Sequence, residues 1–174
     1  VLRKAFAFTL LEKKVPTFKD LIEFEKVKES FLPLKKKYKL EFDEVLQFVG
    51  EMFFPTTILN SKLTILEAVV KYLKEEKKRS LHVIADILQR DERNVWHIYD
   101  NSKKKYSKHF SIEKGEYWIP LTIFTETRLS ALESLVAHLK EEYALSYHEI
   151  ALIIKRDDRT IWTVYQRARK KNAK

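Results

Sequence analysis

The sequence predicts an all-α protein: tandem tri-helical helix-turn-helix domains behind an N-terminal helical segment. Three observations carry that expectation. The stretch Leu63 to Lys105 recurs at Leu129 to Lys171, with roughly 20 of 43 positions identical at a constant offset of 66 and no gap. Only 2 Gly and 4 Pro occur in 174 residues and period-two alternation is almost absent, so strands and tight hairpins should be scarce. A composition of 45% hydrophobic and 13% aromatic residues can fill cores, while the length limits the chain to two or three small domains. The expected division is 1–53, an N-terminal helical segment; 54–118, one repeat with its linker; and 119–174, the second repeat.

The N-terminal segment carries a weak echo of the repeats. Leu34 to Val45 resembles Leu139 to Ile150, and Pro16 to Leu34 spans the same interval as Pro55 to Leu73. No room for a third helix remains before Phe53-Phe54-Pro55. Two readings stand: a degenerate repeat serving as cap or partner surface, or an unrelated helical pair with coincident spacing.

Each full repeat is introduced by an apolar residue and a proline, Phe54-Pro55 and Ile119-Pro120. The first helix is expected over about 63–76 and 129–142, where Leu66, Val69, Val70 and Leu73 match Leu132, Leu135, Val136 and Leu139 at helical spacing. The second opens at Ser80 and Ser146, good N-cap residues, and Ser146 with Glu149 forms a capping box. It should bury Ile84, Ala85 and Leu88, or Ile150, Ala151 and Ile154, the alanine letting a third helix approach closely. The turns Gln89 to Glu92 and Lys155 to Asp158 lead into third helices over about 93–104 and 159–171. Asp91 and Asp157 are expected to cap them.

Net charge is +9, and its excess is higher in the two repeats than in residues 1–54. After Asp158 no acid follows, while Arg159, Arg167, Arg169, Lys170, Lys171 and Lys174 do. Such a cationic end suits a polyanion, because each neutralised phosphate releases condensed counterions. It also suits a solvated helix C-terminus, where the macrodipole favours cations.

Read face by face, the third helix of the second copy should pack Ile161, Val164, Tyr165 and Ala168 inward and turn Arg159, Trp162, Thr163, Gln166 and Lys170 outward or to the flanks. Those side chains suit DNA: Arg pairs with guanine, Gln reads adenine, Thr touches the thymine methyl and Lys holds phosphate. The first copy offers Arg93, Trp96, His97, Asp100 and Lys104 at those places. Asp100 faces phosphate poorly, so the second copy should be the stronger reader, with the first reading another sequence or contacting protein.

The segment LSYHEIALIIKRDDRTIWTVYQRARKK resembles the C-terminal promoter-recognition domain of bacterial sigma factors (sigma region four-like), whose pattern runs roughly LSxxEIAxxLxxSxxTVxxxLxRARKKL. Glu149, Ile150 and Ala151 match its start, Thr160 and Ile161 the opening of its recognition helix, and Arg167, Ala168 and Arg169 its end. The first copy keeps Ile84, Ala85, Val95 and Lys104, but has Val83 for the acid and Asp100-Asn101-Ser102 for Gln166-Arg167-Ala168. The glycine usual in many such turns is replaced by Gln89 and Lys155. The resemblance implies helix-turn-helix binding in the DNA major groove. It does not imply a sigma factor, because the aromatic-rich helices with which that family melts promoters have no counterpart.

The expected DNA contacts are Arg93, Trp96, His97 and Lys104 in the first copy and Arg156, Arg159, Thr160, Trp162, Thr163, Gln166, Arg167, Lys170 and Lys171 in the second. Trp96 and Trp162 carry a rival expectation, since large aromatics are most often buried: they would then seal the seam between repeats or the segment Tyr117-Trp118-Ile119. Charge pairing within the protein is the rival for Arg90, Arg93, Arg156 and Arg159. His82 and His148 are expected at the surface or on phosphate rather than on a metal, since no second His or Cys stands at i+3 or i+4.

No catalytic residue, cofactor or metal is expected. Phosphate loops, dinucleotide turns, nucleophile elbows and metal-ligand spacings are missing from the sequence, and the absence of Cys removes thiolate chemistry. The paired acids Glu75-Glu76, Glu141-Glu142 and Asp157-Asp158 are expected to serve solvation or the helix dipole. The expected function is sequence-specific double-stranded DNA binding and transcription regulation, by two third helices linked through Tyr106 to Ile119 and placed in successive major grooves. RNA polymerase or a second copy are further candidate partners. The alternatives are a protein-interaction adaptor, by polymerase docking or self-association, and an RNA-binding protein. No small-molecule ligand is evident, and with no apolar stretch near about 18 residues no membrane partner is expected. The expected location is cytoplasmic and nucleoid-associated.

Overall fold

The computed structural model describes residues 32–33, 36–37, 52–111 and 117–173. Residues 32–33 and 36–37 are helical; the remainder of 1–51, and with it the expected degenerate repeat, lies outside the described residues. The chain divides into two compact units, Val1–Phe48 and Val49–Lys174, and both repeats lie in the second.

The first repeat runs β1 (Phe53–Pro55), a 3-10 turn (Thr56–Ile58), α1 (Ile65–Glu75), α2 (Leu81–Leu88) and α3 (Glu92–Lys105). The second runs β2 (Trp118–Pro120), a 3-10 turn (Leu121–Phe124), α4 (Ala131–Glu141), α5 (Tyr147–Ile154) and α6 (Asp158–Asn172). The described residues are thus mainly helical, and every one of these helices starts on a side-chain cap. Thr64, Ser130 and Ser146 form full capping boxes with Glu67, Glu133 and Glu149, while Ser80, Asp91 and Asp157 each accept from a first-turn backbone N–H. A cap stabilises by about 1 kcal/mol, which counts for helices as short as the 8 residues of α2 and α5. Only the Ser146 box stood out in sequence, although Thr64-x-x-Glu67 and Ser130-x-x-Glu133 carry the same signature.

The chain leaves each first helix through a left-handed residue, Lys78 at φ 55° or Ala144 at φ 53°. The next N–H, of Arg79 or Leu145, returns to the carbonyl of Leu73 or Leu139 at 3.0 or 3.4 Å. Within each repeat the third helix packs on the first and second, α3 on α1 and α2, α6 on α4 and α5.

The two apolar-proline leaders, expected as mere helix introductions, pair as an antiparallel ribbon. Phe53 lies opposite Pro120, Phe54 opposite Ile119 and Pro55 opposite Trp118. A three-residue strand is too short for alternation to reveal, and its partner is far along the chain. The ribbon joins the repeats over one interior: Phe54, Leu73, Ile84, Val95, Ile119, Leu139, Ile150 and Ile161 all belong to one buried cluster. Phe54 and Phe124 stack across the repeats with ring centroids 5.7 Å apart. The segment expected as linker is also structural, since Tyr106 stacks on Phe110 at 5.7 Å and both pack against that cluster.

Candidate nucleic-acid interface

Between second and third helices the chain turns in three residues. Gln89 and Lys155 take the left-handed conformation, φ 49° and 57°, which ends α2 and α5. Arg90 and Arg156 then donate their backbone N–H to the Ala85 and Ala151 carbonyls, at 2.9 and 3.0 Å. Asp91 Oδ1 accepts from the Asn94 N–H at 3.2 Å, and Asp157 Oδ1 from those of Arg159 and Thr160 at 2.9 and 3.3 Å. Ala85 and Ala151 are buried at the helix crossing. The turn glycine that the sequence lacks is replaced by side-chain-bearing residues held left-handed, a strain of about 1–2 kcal/mol each.

With Val95, or Ile161, Val164 and Ala168, buried beneath it, the far side of each third helix faces solvent. Arg159, Thr160, Arg167 and Lys170 are exposed on α6, with Thr163 and Gln166 half-buried on the flank. Thr163 Oγ1 donates back to the Arg159 carbonyl at 2.8 Å. Arg159, Arg167 and Lys170 form no ion pair among the described residues. On α3, Arg93, His97 and Lys104 are exposed, but Lys104 Nζ is held by Asp100 at 2.6 Å.

Trp96 and Trp162 do not seal the seam. They are 49% and 52% exposed, because Val95 and Ile161 already occupy the inward position and the next residue turns about 100° outward. Trp96 rests edge-on against His97, ring centroids 4.9 Å apart.

Besides Lys104, two expected contacts are engaged within the protein. Arg156 donates to the Ser61 and Leu63 carbonyls of the other repeat, both at 3.2 Å, and so clamps the repeats together. Lys171 Nζ pairs with Glu133 Oε2 at 2.7 Å, as Lys105 pairs with Glu67 at 2.6 Å in the first copy. Burial alone would raise the Glu67 and Glu133 carboxyls, but the lysine and the capping-residue hydrogen bonds hold both below the usual carboxylate range.

The paired acids do more than solvate. Glu75 and Glu141 accept from the Tyr99 and Tyr165 hydroxyls at 3.2 and 3.3 Å, binding first helix to third. Burial, then the neighbouring carboxylate, pushes both phenols up. Lys103 and Arg169, outside the expected set, are exposed over those tyrosine rings, 5.6 and 6.0 Å from the centroids. Their signal was the cationic last turn of each third helix. His82 and His148 stand at the surface, Nδ1 at 3.2 Å from Glu92 and 3.0 Å from Asp158. Among the described residues, one grouping has metal-ligand chemistry: Glu75, Glu76 and His109. Lys71 Nζ already occupies both Glu75 oxygens, at 2.7 and 2.6 Å, so the cluster is built on the Lys71–Glu75 ion pair, with His109 Nδ1 3.6 and 3.4 Å from Glu75 and Glu76.

No known protein family, curated protein or solved structure matches the chain. No helix among the described residues is long and apolar enough to cross a membrane.

Proposed function

We propose that the repeats are a pair of helix-turn-helix units binding double-stranded DNA through the outward faces of α3 and α6, in the service of transcription regulation rather than catalysis. One observation carries the reading: a tryptophan stands half-exposed at the same place in both copies, and on α6 it shares the helix with Arg159, Arg167 and Lys170, which no acid among the described residues neutralises. Unneutralised Arg and Lys suit phosphate and guanine, and an exposed indole suits a sugar or thymine methyl. The sigma region four-like pattern at Glu149 to Arg169 supports the same assignment. The second copy is the stronger reader, because Gln166 and Arg167 stand where the first has Asp100 and Asn101, and Asp100 detains Lys104.

The test is selection from random DNA at near-physiological salt, with a random RNA pool beside it. Enriched duplex should lose about 5- to 150-fold affinity on Arg159→Ala or Gln166→Ala. Lys170→Ala should weaken all sequences alike and reduce the salt slope by about one. Unchanged titrations for all three would sink the proposal. Protein docking is the second reading, favoured by Leu152 on α5, 64% exposed. A stoichiometric, salt-insensitive protein complex without duplex affinity would select it.

A further inference from the structure

We propose that a single chain binds one duplex carrying two half-sites in inverted orientation and of unequal sequence. The inference rests on the DNA-binding reading above, and the relation between the repeats supplies the rest. In the helices equivalent residues are 66 apart, but in the leaders they are 65 apart, because Pro120 to Leu129 is one residue longer than Pro55 to Leu63. Phe54 therefore pairs with Ile119, its own counterpart, and Phe53 and Pro55 pair with each other's counterparts. The flanking bonds are reciprocal: Thr56 N–H donates to the Tyr117 carbonyl at 3.1 Å, and Leu121 N–H, at the counterpart place, to the Met52 carbonyl at 2.7 Å.

Packing repeats the exchange. The 3-10 turn of the second leader packs on α2, and that of the first packs on α5. A cleft of about 260 Å³ is lined by Thr64, Ile65 and Leu66 from one copy and Ser130, Ala131 and Leu132, their counterparts, from the other. These relations define an approximate two-fold axis through the ribbon. A chain that merely continued its repeats by translation would not place a residue opposite its own counterpart.

A two-fold relation has a consequence for ligand symmetry. Its two recognition helices present their residues in opposite senses, which matches the dyad of duplex DNA and an inverted repeat, as in symmetric helix-turn-helix dimers. Here both halves belong to one chain and share one core, so no second copy is needed. The halves are alike at Arg93 and Arg159 and at Trp96 and Trp162. They differ at His97 against Thr163, Asp100 against Gln166, and Asn101 against Arg167, so the two arms should agree in part and diverge in part.

The experiment selects bound duplexes with the full chain and weighs the complexes. The expected result is one chain per duplex and a motif of two inverted, imperfectly matched arms centred about 10 base pairs apart. Arg93→Ala should weaken the two-arm site about tenfold and leave an isolated second arm unaffected. Triple substitution of Thr163→His, Gln166→Asp and Arg167→Asn, with helicity checked by circular dichroism, should make the selected arms more alike. A direct repeat, two duplexes on one chain, or a two-arm site indifferent to Arg93→Ala overturns the inference while leaving DNA binding intact. Failure to enrich any duplex overturns the DNA-binding reading itself and this inference with it.

Discussion

In the first copy the seam between α1 and α3 holds Lys71 and Ser102, 1% and 0% exposed; the second copy has Ala137 and Ala168 at those places, buried with Leu129. Both of its buried polar groups are partnered. Lys71 Nζ bonds both oxygens of Glu75, Tyr99 donates to the same carboxylate, and Ser102 Oγ donates to the Tyr99 carbonyl at 2.6 Å. The ring of Phe110 covers the ammonium at 6.0 Å, and His109 Nδ1 lies 3.4 to 3.6 Å from Glu76 and Glu75. One backbone arrangement is thus closed by an ion-pair network in one copy and by small apolar side chains in the other. The difference shows what the residues after α3 do: they roof a buried charge that the second copy does not have.

The sharpest way to break this comparison is to remove the acid from each copy. Glu75→Ala leaves Lys71 buried without a counter-ion and should cost about 3–5 kcal/mol. Glu141→Ala removes only an exposed hydrogen bond from Tyr165 and should cost no more than about 1 kcal/mol. Chemical denaturation of both variants reads the difference directly. Replacing the pair together, Lys71→Met with Glu75→Gln, should recover most of the loss, because the desolvation cost leaves with the charge. Equal losses for the two single variants would mean that the network contributes nothing beyond its counterpart.

Local chemistry makes the helices legible in the sequence: the repeated apolar positions of α1 and α4, and the caps Ser80, Asp91, Ser146 and Asp157, are each read within a few residues. Features that join distant parts of the chain are not. The ribbon pairs three-residue strands, and Arg156 finds its acceptors at Ser61 and Leu63 in the other copy. The pairing of Lys171 is legible in the sequence, since it lies three residues beyond Ala168 and so shares the inward face of α6, toward Glu133. Trp96 and Trp162 show where a burial average misleads: each follows a residue that already fills the core.

Acid should affect the two copies alike where their chemistry is alike. Glu67 and Glu133 carry carboxyls held below the usual range in the folded state. The stability they contribute is therefore complete above about pH 4.3, the ordinary unfolded value, and is lost as pH falls through the folded values. Glu67→Gln and Glu133→Gln should each cost up to about 1 kcal/mol at neutral pH, for the half-exposed lysine pair, since Gln can still close the capping box. Both substitutions should flatten the acid limb of a stability profile measured by denaturation from pH 3 to 7. A flattened limb for only one variant would show that the matched geometry hides unequal energies.

The smallest expected effect probes the matched left-handed residues. Lys78 and Ala144 sit at φ 55° and 53°, where a Cβ crowds the following carbonyl. Glycine relieves about 1–2 kcal/mol of that strain and returns about 0.5–1 kcal/mol through the freer unfolded chain. A net gain of about 0.5 kcal/mol is thus expected from Ala144→Gly, whose side chain is a single methyl. Lys78→Gly should gain the same if the lysine serves only as linker between α1 and Ser80. A gain at Ala144 with a loss at Lys78, measured by denaturation under one set of conditions, would reveal that the first copy uses the Lys78 side chain and that its asymmetry reaches beyond the α1–α3 seam.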